Sequence, residues 1–295
     1  MKKVSLYQIA EDRVEDVIQS ILANVEVFEQ YKFQPCTKDQ KSTIGMVPTT
    51  LDGQFVSSDK GNTYLEVMTQ TKSPNQWDIK LRTAQRTMAY ASREDIQVED
   101  VPSKIVKSFK EDCSAEVLSE TTPNEPKVFY VIIRPTGQVI VSAAGNAAEE
   151  ILGMIRKVLG SLPVVPYETD VYPSELLRAW VNNDKKAVGD DFLLGSKAVV
   201  VTTHGVKHTV KGDLYEAPEL PPLLADAGST VEAVEVELEG KVLFTLKDDL
   251  TFDGLKFSKE VTEEAENKAG TFLLTLDALT EAIDKTLLRL VAKED

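Results

Sequence analysis

The sequence predicts an α+β fold, with antiparallel sheets and packed helices in two halves and a helical tip protruding from the first half. Three observations predict it. Short alternating segments are separated by tight-turn residues, with few crossovers long enough to serve a parallel sheet. Residues 71–126 are bounded by the Pro-bearing loops Ser73-Pro74-Asn75 and Thr122-Pro123-Asn124-Glu125-Pro126 and read at helical spacing between them. Each half also offers helices that can cover its strands.

Taken in order, Lys3 to Ile9 alternates as a first strand. Asp12 is placed to cap a helix running to Tyr31, with Val14, Val17, Ile18, Ile21, Leu22, Val25 and Phe28 on one face. Strands are expected around 45–48, 54–57 and 63–69, divided by Asp52-Gly53 and Lys60-Gly61-Asn62 turns. Two helices follow at 76–92 and 102–119, the second with Pro102 in its first turn. Strands at 128–134 and 139–143 and a helix at 147–159 complete the first half. The second half reads as a helix at 173–182, then strands near 197–203, 206–211, 230–238, 241–246 and 250–257. Helices near 259–269 and 275–292 end it. The domains expected are a central one (1–70 with 127–166), the tip insertion (71–126) and a C-terminal base (167–295). No repeat and no low-complexity tract interrupts them.

The composition, 42% hydrophobic and 27% charged, is that of a globular protein. No apolar run is long enough to span a membrane, and no secretory leader is legible at the start. Two cysteines, Cys36 and Cys113, fit a reduced, cytoplasmic chain better than a disulfide scaffold. The formal net charge of −15 at first argues against nucleic acid. Its distribution reverses that reading. Residues 216–295 hold 19 acidic and 8 basic residues, while 69–93 hold Lys72, Lys80, Arg82, Arg86 and Arg93 against Asp78 alone. Residues 196–212 hold Lys197, Lys207 and Lys211 with no carboxylate. Basic islands on an acidic body suit a protein that confines a polyanion to one surface; they are also compatible with ordinary solvated faces.

Catalytic chemistry finds little footing. No dinucleotide fingerprint, Walker loop or nucleophile elbow occurs. His204 and His208, the only histidines, flank Gly205 after a β-branched run, so a strand–turn–strand is expected that separates the rings, and no metal is assigned. Asp190-Asp191 and Asp248-Asp249 could hold Mg²⁺, and Lys247 adjoins one pair, but both fall at expected turns, where Asp is favoured for backbone reasons. Cys36 reads as a packed thiol. Trp77 and Tyr90 could stack on bases, yet their helical spacing reads as packing of the tip. No catalytic residue and no cofactor is assigned.

The loop 160–166, within Ile155-Arg156-Lys157-Val158-Leu159-Gly160-Ser161-Leu162-Pro163-Val164-Val165-Pro166, closely resembles a signature of the RdgC family. Arg178-Ala179-Trp180-Val181, Phe33-Gln34-Pro35-Cys36, Gly45-Met46-Val47-Pro48 and the stretch from Asp249 to Phe257 resemble further family marks, in the same order. The resemblance covers essentially the whole chain. It implies a ring-forming subunit of base, centre and tip, which pairs as a homodimer around duplex DNA without sequence preference. It also implies no catalysis, restraint of a RecA-type recombinase, and a nucleoid-associated location. The chain departs from the pattern at 118–124, where the family carries an aromatic residue and this sequence has none, and at 231–239, where Glu232, Glu235, Glu237 and Glu239 alternate with apolar residues.

The basic islands supply the site residues expected to bind DNA: Lys80, Arg82, Arg86 and Arg93 on the tip, and Lys207 and Lys211 on a base strand. Arg82 and Arg86, four apart on a helix, share a face, as do Lys207 and Lys211 on a strand. Such groups meet phosphates and give affinity without base readout. The acidic run motivates the other reading, a protein-binding or DNA-mimicking regulator on the same fold.

Overall fold

The chain opens on strand β1 (Lys3–Ile9), whose Val4 and Leu6 are buried on one face by the two-residue alternation of a strand. The computed structural model describes residues 1–182, 188–263, 265 and 267–291. A 3₁₀ turn at Glu11–Arg13 leads into α1 (Val14–Ala23) and α2 (Val25–Gln30). One continuous helix is predicted here, and the structure corrects it. Asp12 lies inside the 3₁₀ turn rather than at a cap. The break falls at Asn24, whose side-chain amide donates to Ser20 O at 2.6 Å, the kind of local side-chain bond that competes with helix propagation.

Strand β2 (Ser42–Val47) pairs antiparallel with the second part of β4 (Asn62–Thr71), and β3 (Ser57–Asp59) pairs with the first part. The strand expected at 54–57 is displaced because Asp52 gathers the preceding loop. Its Oδ1 accepts from Gln54 N at 2.9 Å, Thr49 Oγ1 at 3.2 Å and Ser57 Oγ at 2.5 Å. Gly45 lets residues 31–33 cross β2 closely: a Cβ there would lie 2.4 Å from Phe33 Cα. Phe33 N donates to Met46 O (2.8 Å) and Met46 N to Tyr31 O (2.9 Å), so the stretches 33–36 and 45–48 lie side by side.

The tip stretch forms the helical hairpin expected. Helix α3 (Gln76–Glu94) is capped by Asn75, whose side chain accepts from Trp77 N at 3.0 Å, and stops at Asp95 in the left-handed region. Helix α4 (Ser103–Glu120) returns, with Pro102 at its cap rather than in its first turn. Ile79, Cys113 and Val117 form the core between them, and Tyr90 meets Phe109 edge-on, centroids 5.9 Å apart.

Strands β5 (Lys127–Ile133) and β6 (Gln138–Val141) precede α5 (Asn146–Leu159), which ends at Gly160 with φ +76. The loop after it buries Leu162 and delivers β7 (Val164–Pro166) onto the end of β1, where Val164 pairs with Ile9. Then come α6 (Pro173–Val181), β8 (Phe192–Val201), β9 (Lys207–Lys211), α7 (Leu220–Ala225), β10 (Thr230–Leu238), β11 (Val242–Lys247) and β12 (Phe252–Phe257). The closing helices are α8 (Lys259–Glu263) and α9 (Lys268–Leu287). The long helix starts earlier than 275 because the Asn267 side chain caps it, accepting from Gly270 N at 2.8 Å. Strand β7 and helix α7 are not predicted by the sequence, and the long helix, expected to run to 292, ends at Leu287, where Arg289 N turns to Thr286 O and Leu290 N to Leu287 O.

The fold is α+β with a large antiparallel sheet. Two compact units divide it: Met1–Glu26, Pro48–Leu65 and Phe129–Asp295 form one, and Val27–Val47 with Glu66–Val128 the other. The α3–α4 hairpin and the β2–β4 ladder belong to the second. In the first, strands run β5-β6-β1-β12-β11-β10-β8-β9, every pair antiparallel. One face of this sheet is covered by α6 and α9. Leu176, Leu177, Trp180, Leu276, Leu279 and Ile283 share a core with Val200, Val234, Val236, Phe244, Leu246 and Phe252. Trp180, fully buried, lies 5.4 Å from the Phe192 ring, and Phe244 continues the stack to Phe252 at 5.0 Å.

Candidate nucleic-acid interface

Because α6 and α9 claim one face of the β8–β12 sheet, alternation sends every second residue to the other face. From β9 these are Lys207, Thr209 and Lys211, all exposed. From β8, Lys197 joins them, and from β11, Thr245 and Lys247. The register is specific. Lys197 and Lys211 are direct cross-strand partners, with Val199 opposite Thr209 and Val201 opposite Lys207. A shallow groove lined by Lys197, Lys207, Thr209, Glu232, Thr245, Lys247 and Asp253 runs across this face.

The charges on this face fall into two sets. Lys207 is paired with Glu232, and Lys247 meets Asp253 at 2.9 Å, with Lys3 on the same carboxylate at 3.2 Å. Burial works to raise the Asp253 carboxyl, yet the hydrogen bonds from Lys247 and Lys3 outweigh it and hold the group below its ordinary value. At the groove edge the opposite occurs: burial, then the neighbouring Asp249 and Glu232, push Asp248 up. Lys197 and Lys211 differ from all of these, because neither has an ion-pair partner among the described residues. Two ammonium groups directly opposite on a sheet oppose folding, and a polyanion laid across them would relieve that repulsion.

The alternating glutamates occupy the same strand system but are mostly engaged. Glu235 Oε2 accepts from Ser196 N and Oγ, each at 2.8 Å. Glu239 is held by Lys285 and Lys241, which depress its carboxyl, and Lys285 also reaches Asp191 and Glu281. Asp191 is further bound by Arg289 at 3.1 Å, so this acid of the 190–191 pair is a structural ion-pair partner. Both Asp pairs lie at turns, and His204 and His208 sit in a turn and a strand.

The tip cations are in the other unit and are differently used. Arg82 makes two hydrogen bonds to Glu120, at 3.0 and 2.6 Å, and Arg86 bonds Glu116 at 2.5 Å with Asp112 4.0 Å away. Arg93 lies 5.2 Å over the Tyr90 ring and bonds Glu94 at 2.9 Å. Lys80 is exposed, with no ion pair among the described residues. Lys72 is buried and donates to Lys38 O (2.8 Å) and Leu118 O (3.2 Å), which ties the β2 approach to the C-terminal end of α4. The expectation that Trp77 packs the tip is corrected: Tyr90 does so, but Trp77 is 65% exposed because the helix turns it away from Ile79.

Sequence reasoning thus finds Lys207 and Lys211 but passes over Lys197 as a site residue. Its signal was present. Lys197 and Lys211 stand at matching distances either side of the 202–206 turn, so a hairpin register would have paired them.

Known proteins share this sequence pattern along nearly the whole chain. A family model described as "Putative exonuclease, RdgC" matches residues 1–293. Curated relatives carry the name recombination-associated protein RdgC. The one from Colwellia psychrerythraea is 32% identical over 55% of this chain, a match spanning 52% of its own length. Those from Actinobacillus pleuropneumoniae and Pseudoalteromonas atlantica are 25% and 24% identical over 82% and 90% of the chain, and 79% and 86% of their own.

Proposed function

Because the chain belongs to the RdgC family, we propose that it binds double-stranded DNA without sequence preference and modulates homologous recombination. It would do so by limiting the access of a RecA-type recombinase to DNA, or strand exchange, while acting as a homodimer and without a catalytic step. The recombination-associated name of its relatives supports the biological setting. The observation that carries the molecular reading is the Lys197–Lys211 pair on the sheet face opposite α6 and α9, two cations held opposite each other beside Lys207 and Lys247, with no ion-pair partner among the described residues. Ammonium groups on a strand meet phosphates as point charges and read no base edge, which matches binding without sequence preference. Lys80 and Arg93 supply cations on the hairpin, and Arg82 and Arg86 can exchange exposed carboxylates for phosphates at little cost, since solvent screening weakens such ion pairs.

The net charge of −15 sets the condition for this activity. Repulsion by the body is screened over about 8 Å at physiological salt, so only cations near the backbone offset it. The test is duplex affinity against salt concentration for several unrelated sequences, together with solution mass. Similar affinities with a steep salt slope, and a dimeric mass, are expected. Sequence-independent failure to bind would transfer the proposal to the protein-binding regulator that Glu232, Glu235, Glu237 and Glu239 motivate. Mg²⁺-dependent shortening of the duplex would overturn the non-enzymatic reading.

A further inference from the structure

We propose that a second surface, the cleft beside the C-terminal end of α9, docks a cationic and partly apolar segment of a partner protein. The cleft encloses about 610 Å³, within the range of sites that hold peptide side chains. It lies wholly in the unit that carries the β1–β12 sheet. Its floor is Arg134, which is already neutralised: the guanidinium bonds both carboxylate oxygens of Asp284, at 2.5 and 2.9 Å, and Gln138 Oε1 at 2.8 Å. The segment after β7 forms a fixed wall, because Tyr167 N donates to Leu6 O and Val171 N to Leu290 O, each at 3.1 Å.

Three features select the occupant. Leu288 and Val291 border the cleft while 73% and 55% exposed, so an apolar surface is left open to water. Glu11 and Glu168 line the same cleft from two separate segments, and neither has a cationic partner among the described residues. The one cation of its lining among the described residues, Arg134, is spent on Asp284. An apolar wall with a negative rim complements a segment that carries Lys or Arg beside a branched aliphatic residue. The same charge repels duplex DNA. The cleft is therefore a protein-docking surface separate from the lysine face, and it gives a recombination modulator a handle for a protein while DNA occupies the other surface.

The probe is a fluorescent decapeptide of alternating Leu and Lys, titrated into the full chain and read by anisotropy. Peptides of alternating Ser and Lys, and of alternating Leu and Glu, serve as controls. The Leu/Lys peptide should bind, and both controls should bind at least tenfold more weakly. The double changes Glu11→Lys with Glu168→Lys, and Leu288→Ser with Val291→Ser, should each weaken binding at least tenfold. Glu216→Lys with Glu219→Lys, elsewhere on the acidic surface, should leave it within twofold. The changed side chains are exposed, so unchanged melting temperatures will verify folding. Equal loss in the Glu216/Glu219 variant, or equal binding of the Ser/Lys peptide, would reduce the effect to bulk charge and overturn the proposal. A fall in solution mass on Leu288→Ser with Val291→Ser would assign the surface to self-association instead. The cleft variants should keep wild-type duplex affinity. Peptide binding without duplex binding would thus sink the DNA reading alone.

Discussion

At Lys197 the interests of folding and binding oppose each other. Its cross-strand partner is Lys211, and a like-charge pair in that position destabilises by up to roughly 0.2–1 kcal/mol. Lys197→Glu should therefore raise the melting temperature while weakening duplex binding, a combination that thermal melts and gel shifts on one preparation can check. Lys197→Ala with Lys211→Ala should reduce the salt slope by about 0.9 for each phosphate that the variant no longer neutralises. An unchanged slope would remove this pair from the interface. Gly45 makes a second prediction. With a Cβ only 2.4 Å from Phe33 Cα, Gly45→Ala must displace the 31–33 segment, and overpacking of this kind costs typically about 1–3 kcal/mol. Denaturant unfolding of the variant at wild-type level would contradict that close approach. The family marks at 33–36 and 45–48 look unrelated in sequence, and the Phe33–Met46 bond shows why they occur together.

Among the elements, the α3–α4 hairpin separates packing from charge. Ile79 is buried in a three-residue core with Cys113 and Val117, so Ile79→Ala should cost about 2–5 kcal/mol in this unit. Arg82→Ala with Arg86→Ala should cost less than that, because their pairs with Glu120 and Glu116 are exposed to solvent screening. A larger loss for the arginine pair than for Ile79 would invert this ranking. The hairpin was legible because its signals are local: a Pro-bearing loop at each end and apolar residues at helical spacing between them. Where tertiary packing decides, legibility failed. Strand β7 is only three residues long and exists through its ladder with β1. The break at Asn24 interrupts an apolar periodicity that continues unbroken on paper. The candidate site was half legible for the same reason. Spacing put Lys207 and Lys211 on one face, but only the β8–β9 register sets Lys197 against Lys211, and the carboxylates that engage Arg82 and Arg86 come from the other helix.

Across the whole molecule the excess of acid is organised by a few cations. Lys285 gathers Asp191, Glu239 and Glu281, Lys241 shares Glu239 and Glu281, and Arg289 holds Asp191, so α9 is fastened to the β10–β11 turn and to the start of β8. Hydrogen bonds from Arg289, Lys285 and Lys241 hold these three carboxyls below their ordinary values, and the bonds to Asp253 and Asp226 act in the same direction. A carboxyl whose value is lowered by folding stabilises the native state above its unfolded value, and that contribution disappears as pH falls through the folded value. Asp248, pushed up by burial and by Asp249 and Glu232, acts in the opposite sense and gains stability on protonation. It is one carboxyl against seven, since Asp52 and Glu120 are lowered as well. The melting temperature should therefore be nearly flat from pH 7 to about 5 and fall progressively below about pH 4. Between pH 7 and the pI near 4.7, neutralisation of the −15 charge relieves self-repulsion and would by itself raise stability, and below the pI a growing positive charge restores the repulsion. Repulsion alone predicts a maximum near the pI, whereas the ion pairs predict a plateau above about pH 5, so a melt series in pH distinguishes them. Lys285→Met should shrink the decline below about pH 4 by releasing Glu239 and Glu281, which assigns that part of the acid sensitivity to the α9 network. A melting temperature that peaks near pH 4.7, with a decline below it that Lys285→Met leaves unchanged, would mean that net repulsion, rather than these ion pairs, governs acid sensitivity.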